Sequence, residues 1–155
     1  MDEPVDQASD VVRSAPFADL DPLTAYGLWA LRSEVFVVEQ DCPYPDLDGR
    51  DLAPRTRHLW IDRAGAPVAT LRVLDDEADG GALRIGRVAT ARAWRGRGLA
   101  ARLVTAVLDG AGERDVVLDA QSHLVDWYAV LGFVPDGPGF LDDGIPHTPM
   151  RRPAR

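Results

Sequence analysis

Residues 88–103 read VATARAWRGRGLAARL. They gather Arg92, Arg95, Arg97 and Arg102 about two glycines, with no acidic residue among them, in a chain whose formal net charge is -8. The stretch reads as a strand ending at Thr90, a bend, and a helix from Gly98. A helix start presents unpaired N–H groups and the positive end of the peptide dipole, which suits a phosphate. Gly96 and Gly98 let the backbone approach an oxygen with no Cβ in the way. Arg92, Arg95 and Arg97 add charge-assisted donors. A polyphosphate cradle accounts for all these features; a glycine-rich turn with solvated arginines is the competing account.

The sequences GKS and GKT are absent, so the bend is not a P-loop. Gly96, Gly98 and Ala101 match the dinucleotide pattern G-x-G-x-x-G/A, with Asp119 near its acidic position. That pattern follows directly on an apolar strand, whereas ARAWR intervenes here. Only 36 residues remain after Asp119, too few to complete a doubly wound sheet.

Other groups could carry proton chemistry. Arg32 and Glu39 are seven apart on a predicted helix and point in nearly the same direction, while Glu34 lies nearer another side. Either glutamate could take a proton from an ammonium, and both equally suit a solvated helix surface. Asp41, Asp46, Asp48 and Asp51 decorate the loop DCPYPDLDGRD, as an acidic pocket for a cationic amine or as turn caps. Calcium-loop spacing is missing. His58, His123 and His147 lack metal-ligand spacing to one another or to Cys42, so no metal site is expected. His147, in GIPH, is either a base or a structural histidine at a strand edge. Trp94 either covers a ligand in the cradle or packs on the helix.

The elements that must place these groups follow from pattern. VVRSAPFADL reads as a first strand, and Asp21-Pro22 as an N-cap with proline at the first helical position. Leu28, Leu31, Val35 and Val38 then recur at helical spacing to about Glu39. RHLWID, RAGA and PVATLRVL read as a hairpin. LRIGRVAT is a strand, and the helix from about Gly98 to Asp109 carries Leu99, Leu103, Val104, Val107 and Leu108 on one face. DVVLDA is a strand, HLVDWYAVLG a helix closed by Gly132, and GIPHTPMRR a last strand. The order defines an α/β or α+β layer protein with a partly antiparallel sheet.

Arg95-x-x-Gly98-x-Ala100 resembles the acyl-CoA loop of the GNAT acetyltransferases, Q/R-x-x-G-x-G/A. Tyr128-x-x-x-Gly132-Phe133 is a second feature similar to that family, one helix and one strand downstream. The match extends to the ElaA-like branch through VFVVEQDCPYPDLDGRD, RHL and DGIPH, and covers roughly residues 22–151. Many relatives have asparagine seven residues before the tyrosine, where this chain has Gln121. The resemblance implies a mixed, mostly antiparallel, twisted sheet of six to seven strands flanked by about four helices, splayed between the fourth and fifth strands. Acetyl-CoA would be the cosubstrate and a primary amine the acceptor. Pantetheine would bond the backbone about Val88, Ala89 and Thr90, with Gln121 beside it. The pyrophosphate would meet Arg95, Gly96, Arg97, Gly98, Leu99 and Ala100. Tyr128 would protonate the departing thiolate. From the residues themselves, and not from the resemblance, Glu39 is the expected base, with Arg32, Glu34, His58 and His147 on the acceptor side. A homodimer is a common habit of such proteins.

Composition narrows the partners. At 155 residues, 46% hydrophobic and 27% charged, the chain matches one globular domain. Residues 11–155 are expected to form it, after a disordered acidic leader at 1–10. No apolar run of about 18 residues spans a membrane. The acidic balance disfavours nucleic acid and favours a cationic small substrate. A lone cysteine fits a reducing compartment, hence the cytoplasm.

Overall fold

A computed structural model describes residues 11–75 and 77–154; the expected leader lies outside them. The chain begins with β1 (Arg13–Pro16), a short edge strand. Helix α1 (Pro22–Arg32) starts as predicted: the Asp21 carboxylate accepts from the Thr24 N–H at 2.9 Å, and proline occupies the first position. From Ser33 to Glu39 the helix widens into a π turn. The extra residue per turn rotates the apolar stripe. Leu28, Leu31 and Val35 stay buried, while Val38, expected on the same face, is exposed.

Strands β2 (Arg57–Arg63) and β3 (Ala66–Leu74) form the predicted hairpin, turning through Ala64 and Gly65, both with positive φ. β4 (Leu83–Thr90) pairs antiparallel with β3. Helix α2 (Leu99–Gly110) crosses back to β5 (Val116–Gln121), and α3 (Val125–Val130) follows it. Two short strands, β6 (Val134–Pro135) and β7 (Phe140–Asp142), precede β8 (Ile145–Arg152). The sheet order is β1-β2-β3-β4-β5-β8-β6, with β7 also on β8. Among the described residues, eight strands and three α-helices thus stand where six to seven strands and about four helices were expected. The added strands come from 134–142, a Gly/Pro-rich stretch with no strand pattern of its own.

Leu103 and Val104 of α2 pack with Leu71 of β3, Ile85 of β4 and Val116 of β5 in the main core. Across the sheet, Leu31 and Val35 close on Ala89. β4 and β5 are parallel, and only Leu83↔Val116 and Arg84↔Val117 pair. Beyond Arg84 the strands diverge, so the splay predicted between the fourth and fifth strands is present. No described helix is long and apolar enough to cross a membrane.

Candidate active site

The divergence of β4 and β5 opens a cleft of about 800 Å³. Along it lie Val88, Ala89, Thr90, Arg95, Gly96, Gly98, Leu99, Ala100, Gln121 and Tyr128, all expected at the cofactor, together with Glu39 and His147. The fold therefore brings together groups more than a hundred residues apart in sequence.

At one end of the cleft the bend meets the start of α2. Gly96 and Gly98 have φ of +75° and +73°, and a Cβ at either would meet no atom within 4 Å. Glycine is required there by backbone conformation, and the space in front is open. Gly98 is the N-cap of α2, and no side chain caps it. The first amides of a three-turn helix thus keep their donors for an anion. These features fit the phosphates of an acyl-CoA.

The arginines divide their work. Arg95 donates from Nε to the Thr90 carbonyl at 3.0 Å and from Nη2 to Glu39 at 2.7 Å. Arg92 reaches the other Glu39 oxygen at 3.2 Å. The bend is thereby strapped to β4 and to the end of the first helix. The Arg95 hydrogen bond, then Arg92, holds the Glu39 carboxyl below the usual carboxylate range. Such a carboxylate is a weak proton acceptor, which speaks against the base expected at Glu39. Arg97 does not line the cleft; its guanidinium stacks 4.6 Å from the Trp94 ring centroid, with Arg63 at 5.3 Å.

Tyr128 is placed by its helix end. Gly132 N–H bonds to the Ala129 carbonyl and Phe133 N–H to the Tyr128 carbonyl, with Gly132 at φ +97°. This is a Schellman motif, whose characteristic apolar contact joins the residues at Tyr128 and Phe133. Their rings meet edge to face at 5.8 Å. The spacing Tyr-x-x-x-Gly-Phe is thus a helix-termination device that fixes the phenol. Burial pushes the Tyr128 hydroxyl up to about 12, so it remains a proton donor throughout the physiological range.

Gln121 lies opposite His147 in the β5–β8 register. His147 Nδ1 is 2.8 Å from the Ile145 carbonyl, and its ring stacks on Phe140. A carbonyl only accepts, so Nδ1 carries the hydrogen and Nε2 of the neutral ring keeps its lone pair.

Three expected acceptor residues, Arg32, His58 and Glu34, lie outside the cleft. Arg32 is buried, with Nε 2.9 Å from Asp46 and Nη1 2.7 Å from Asp51. His58 is also buried, Nε2 against the Asp51 carbonyl at 3.1 Å and its ring edge-on to Trp29. Burial lowers the His58 pKa. Neither lines the cleft. Both are structural, because the aspartate loop folds down on them. Glu34 is exposed and also outside the cleft. Arg72 completes the network, bonding Asp48 at 2.7 Å and Asp51 at 3.1 Å. Burial opposes ionisation of Asp51, but Arg32 and Arg72 prevail and hold it low. The Arg72 hydrogen bond holds Asp48 well below the carboxylate range. Asp46, Asp48 and Asp51 are therefore neutralised by arginines of the protein itself instead of standing open to a cationic amine.

The structure adds cleft residues beyond the site residues expected from the sequence. Phe36, Gln40, Tyr44, Arg87 and Asp142 also line the cleft. They come from a π turn, a loop, a bulge and a hairpin tip, none of which shows a periodic pattern.

The profile of the Acetyltransferase (GNAT) domain matches residues 32–153. A UPF0039 protein of Mycobacterium tuberculosis is 49% identical over 147 residues, 94% of each chain. Protein ElaA of Escherichia coli is 37% identical over 139 residues, 87% of this chain and 91% of its own. The crystal structure of Escherichia coli ElaA superposes with a TM-score of 0.85 at 35% identity, covering 92% of this chain and 98% of that one. An acyl-CoA N-acyltransferase from Pseudomonas aeruginosa gives 0.86 at 42% identity, over 92% and 98%. Fold and cleft thus define a GNAT acyltransferase, and the chain belongs to that family of enzymes. Within it, the chain belongs to the ElaA-like branch.

Proposed function

We propose that this enzyme moves an acetyl group from acetyl-CoA to a primary amine, small molecule or peptide, by direct attack within a ternary complex. The observation that carries this reading is the joining, in one cleft, of an uncapped glycine helix start with Tyr128, Gln121 and His147. The amides at the start of α2 would hold the pyrophosphate, and the β4 edge about Val88 would lie along the pantetheine. The Thr90 carbonyl already accepts from Arg95, which leaves it one lone pair for the cosubstrate.

In the reaction the amine nitrogen bonds to the thioester carbon, the carbon–sulfur bond breaks, and the thiolate takes the Tyr128 proton. We assign the amine's proton to His147 Nε2, directly or through water, because the Ile145 carbonyl holds the tautomer with that nitrogen free. Glu39 becomes a positioning residue for the bend. The test is a calorimetric titration of acetyl-CoA with thiol release followed against polyamines, amino acids and peptides. Binding with release for one amine class supports the reading. Binding without release identifies an acyl-CoA sensor of the same fold, and no binding overturns the cradle.

A further inference from the structure

In the middle of β4 the ladder carries one residue too many. Thr70 pairs with Ala89 and Arg72 with Gly86, so Arg87 and Val88 together face Leu71. Arg87 has φ +51°, a left-handed conformation that a bulge of this kind ordinarily assigns to glycine. Glycine would hold that backbone with less strain, so the side chain invites an account.

The Arg87 side chain leaves the strand for the aspartate loop. Its Nε lies 2.8 Å from Asp46 Oδ1, and Nη2 donates to the Asp46 carbonyl at 3.1 Å. Asp48 is 3.5 Å away, and the guanidinium sits over the Tyr44 ring at 5.4 Å. Asp46 is the hub of this contact. It also takes the Tyr44 hydroxyl at 3.3 Å and the Nε of buried Arg32. Tyr44 and Arg87 both line the cleft. One guanidinium therefore ties three things together: a strained strand bulge, an anchored carboxylate and an aromatic wall.

We propose that Arg87 is a positioning residue that fixes loop 42–51, and with it Tyr44, against the β4 bulge, so that the wall facing the incoming acceptor is held at a set distance from the strand along the acyl group. The assignment rests on the acetyl-transfer reading for its catalytic consequence, but its geometric content stands apart from it. Cys42, the chain's single cysteine, lies at the start of this loop and lines the cleft. It reports loop position without any acceptor.

The experiment compares the wild type with Arg87→Gly, Arg87→Lys and Tyr44→Leu by the rate at which Cys42 reacts with 5,5′-dithiobis(2-nitrobenzoic acid). Arg87→Gly keeps a backbone that favours the bulge and deletes the tie; its Cys42 rate is expected to rise at least tenfold. Arg87→Lys keeps a charge for Asp46 but loses the planar fork, and is expected to fall back within threefold of wild type. Tyr44→Leu, which leaves the bulge untouched, is expected to give an intermediate rise and serves if the glycine variant does not fold. Acetyl-CoA affinity by calorimetry should stay within twofold in all three. With whichever panel amine turns over, Arg87→Gly should raise the amine KM at least fivefold and leave the acetyl-CoA KM within twofold. Cys42 rates within twofold of wild type in folded Arg87→Gly or Tyr44→Leu would overturn the proposal, as would equal shifts in both KM values. Failure of acetyl-CoA to bind the wild type would instead remove the acetyl-transfer reading and leave the Cys42 comparison standing.

Discussion

Tyr128 and Glu39 show how neighbours decide what a titratable group can do. The phenol is surrounded by apolar atoms and pushed up to about 12, so its proton is retained until needed. Replacing it with phenylalanine keeps the ring contact with Phe133 and removes the donor. Turnover of Tyr128→Phe should fall by about 100-fold or more, with acetyl-CoA affinity within twofold; steady-state kinetics beside calorimetry tests this, and unchanged turnover sinks the acid. Glu39 is the opposite case, an anion held by two guanidiniums. Loss of a general base costs about 100-fold or more, whereas Glu39→Gln should leave kcat within about fivefold and alter acetyl-CoA affinity, as Arg92 and Arg95 are released. A hundredfold fall in kcat would restore the base.

At the scale of elements, glycines and turns set the geometry. Gly98→Ala meets no steric obstacle but must hold a left-handed N-cap. It should weaken acetyl-CoA binding by about tenfold, following a backbone cost of about 1 kcal/mol or more, read by calorimetry. In the β2–β3 hairpin, Ala64 sits at φ +51° and faces the opposite situation. Ala64→Gly should raise the urea midpoint by relieving about 1 kcal/mol of left-handed strain. An unchanged or lower midpoint would show that the turn is not strained.

For the whole molecule, charge pairing makes stability depend on acidity. Asp48, Asp51 and Glu39 all have depressed pKa values through arginine partners. Their stabilisation is fully present above the unfolded carboxylate range near pH 4 and is lost as pH falls through the lower folded values. Buried His58 acts in the same direction from its ordinary 6.5 downward. At the alkaline end, the raised Tyr128 value removes stability as pH climbs from 10 to about 12. Thermal melts should therefore peak near neutrality, decline gently below pH 6.5 and steeply below pH 4. A flat Tm from pH 5 to 2 would contradict the buried arginine–aspartate network.

Much of the scaffold was legible in the chain itself. Asp21-Pro22, the RAGA turn, Gly98 and the Tyr128–Gly132–Phe133 spacing are local devices, each acting within a few residues of itself. Their hydrogen bonds and φ values follow from local chemistry, so helix ends, the hairpin and the arginine–glycine bend could be located before any coordinates. Tertiary structure decided what the charged groups do. The fold buries Arg32 and His58 under the aspartate loop and pairs Glu39 with Arg92 and Arg95. The bulge at Arg87 depends on register with β3, and the π turn that exposes Val38 departs from the periodicity that predicted it. Partners 7 to 56 residues apart leave no periodic trace, because their pairing is set by how sheets and loops pack.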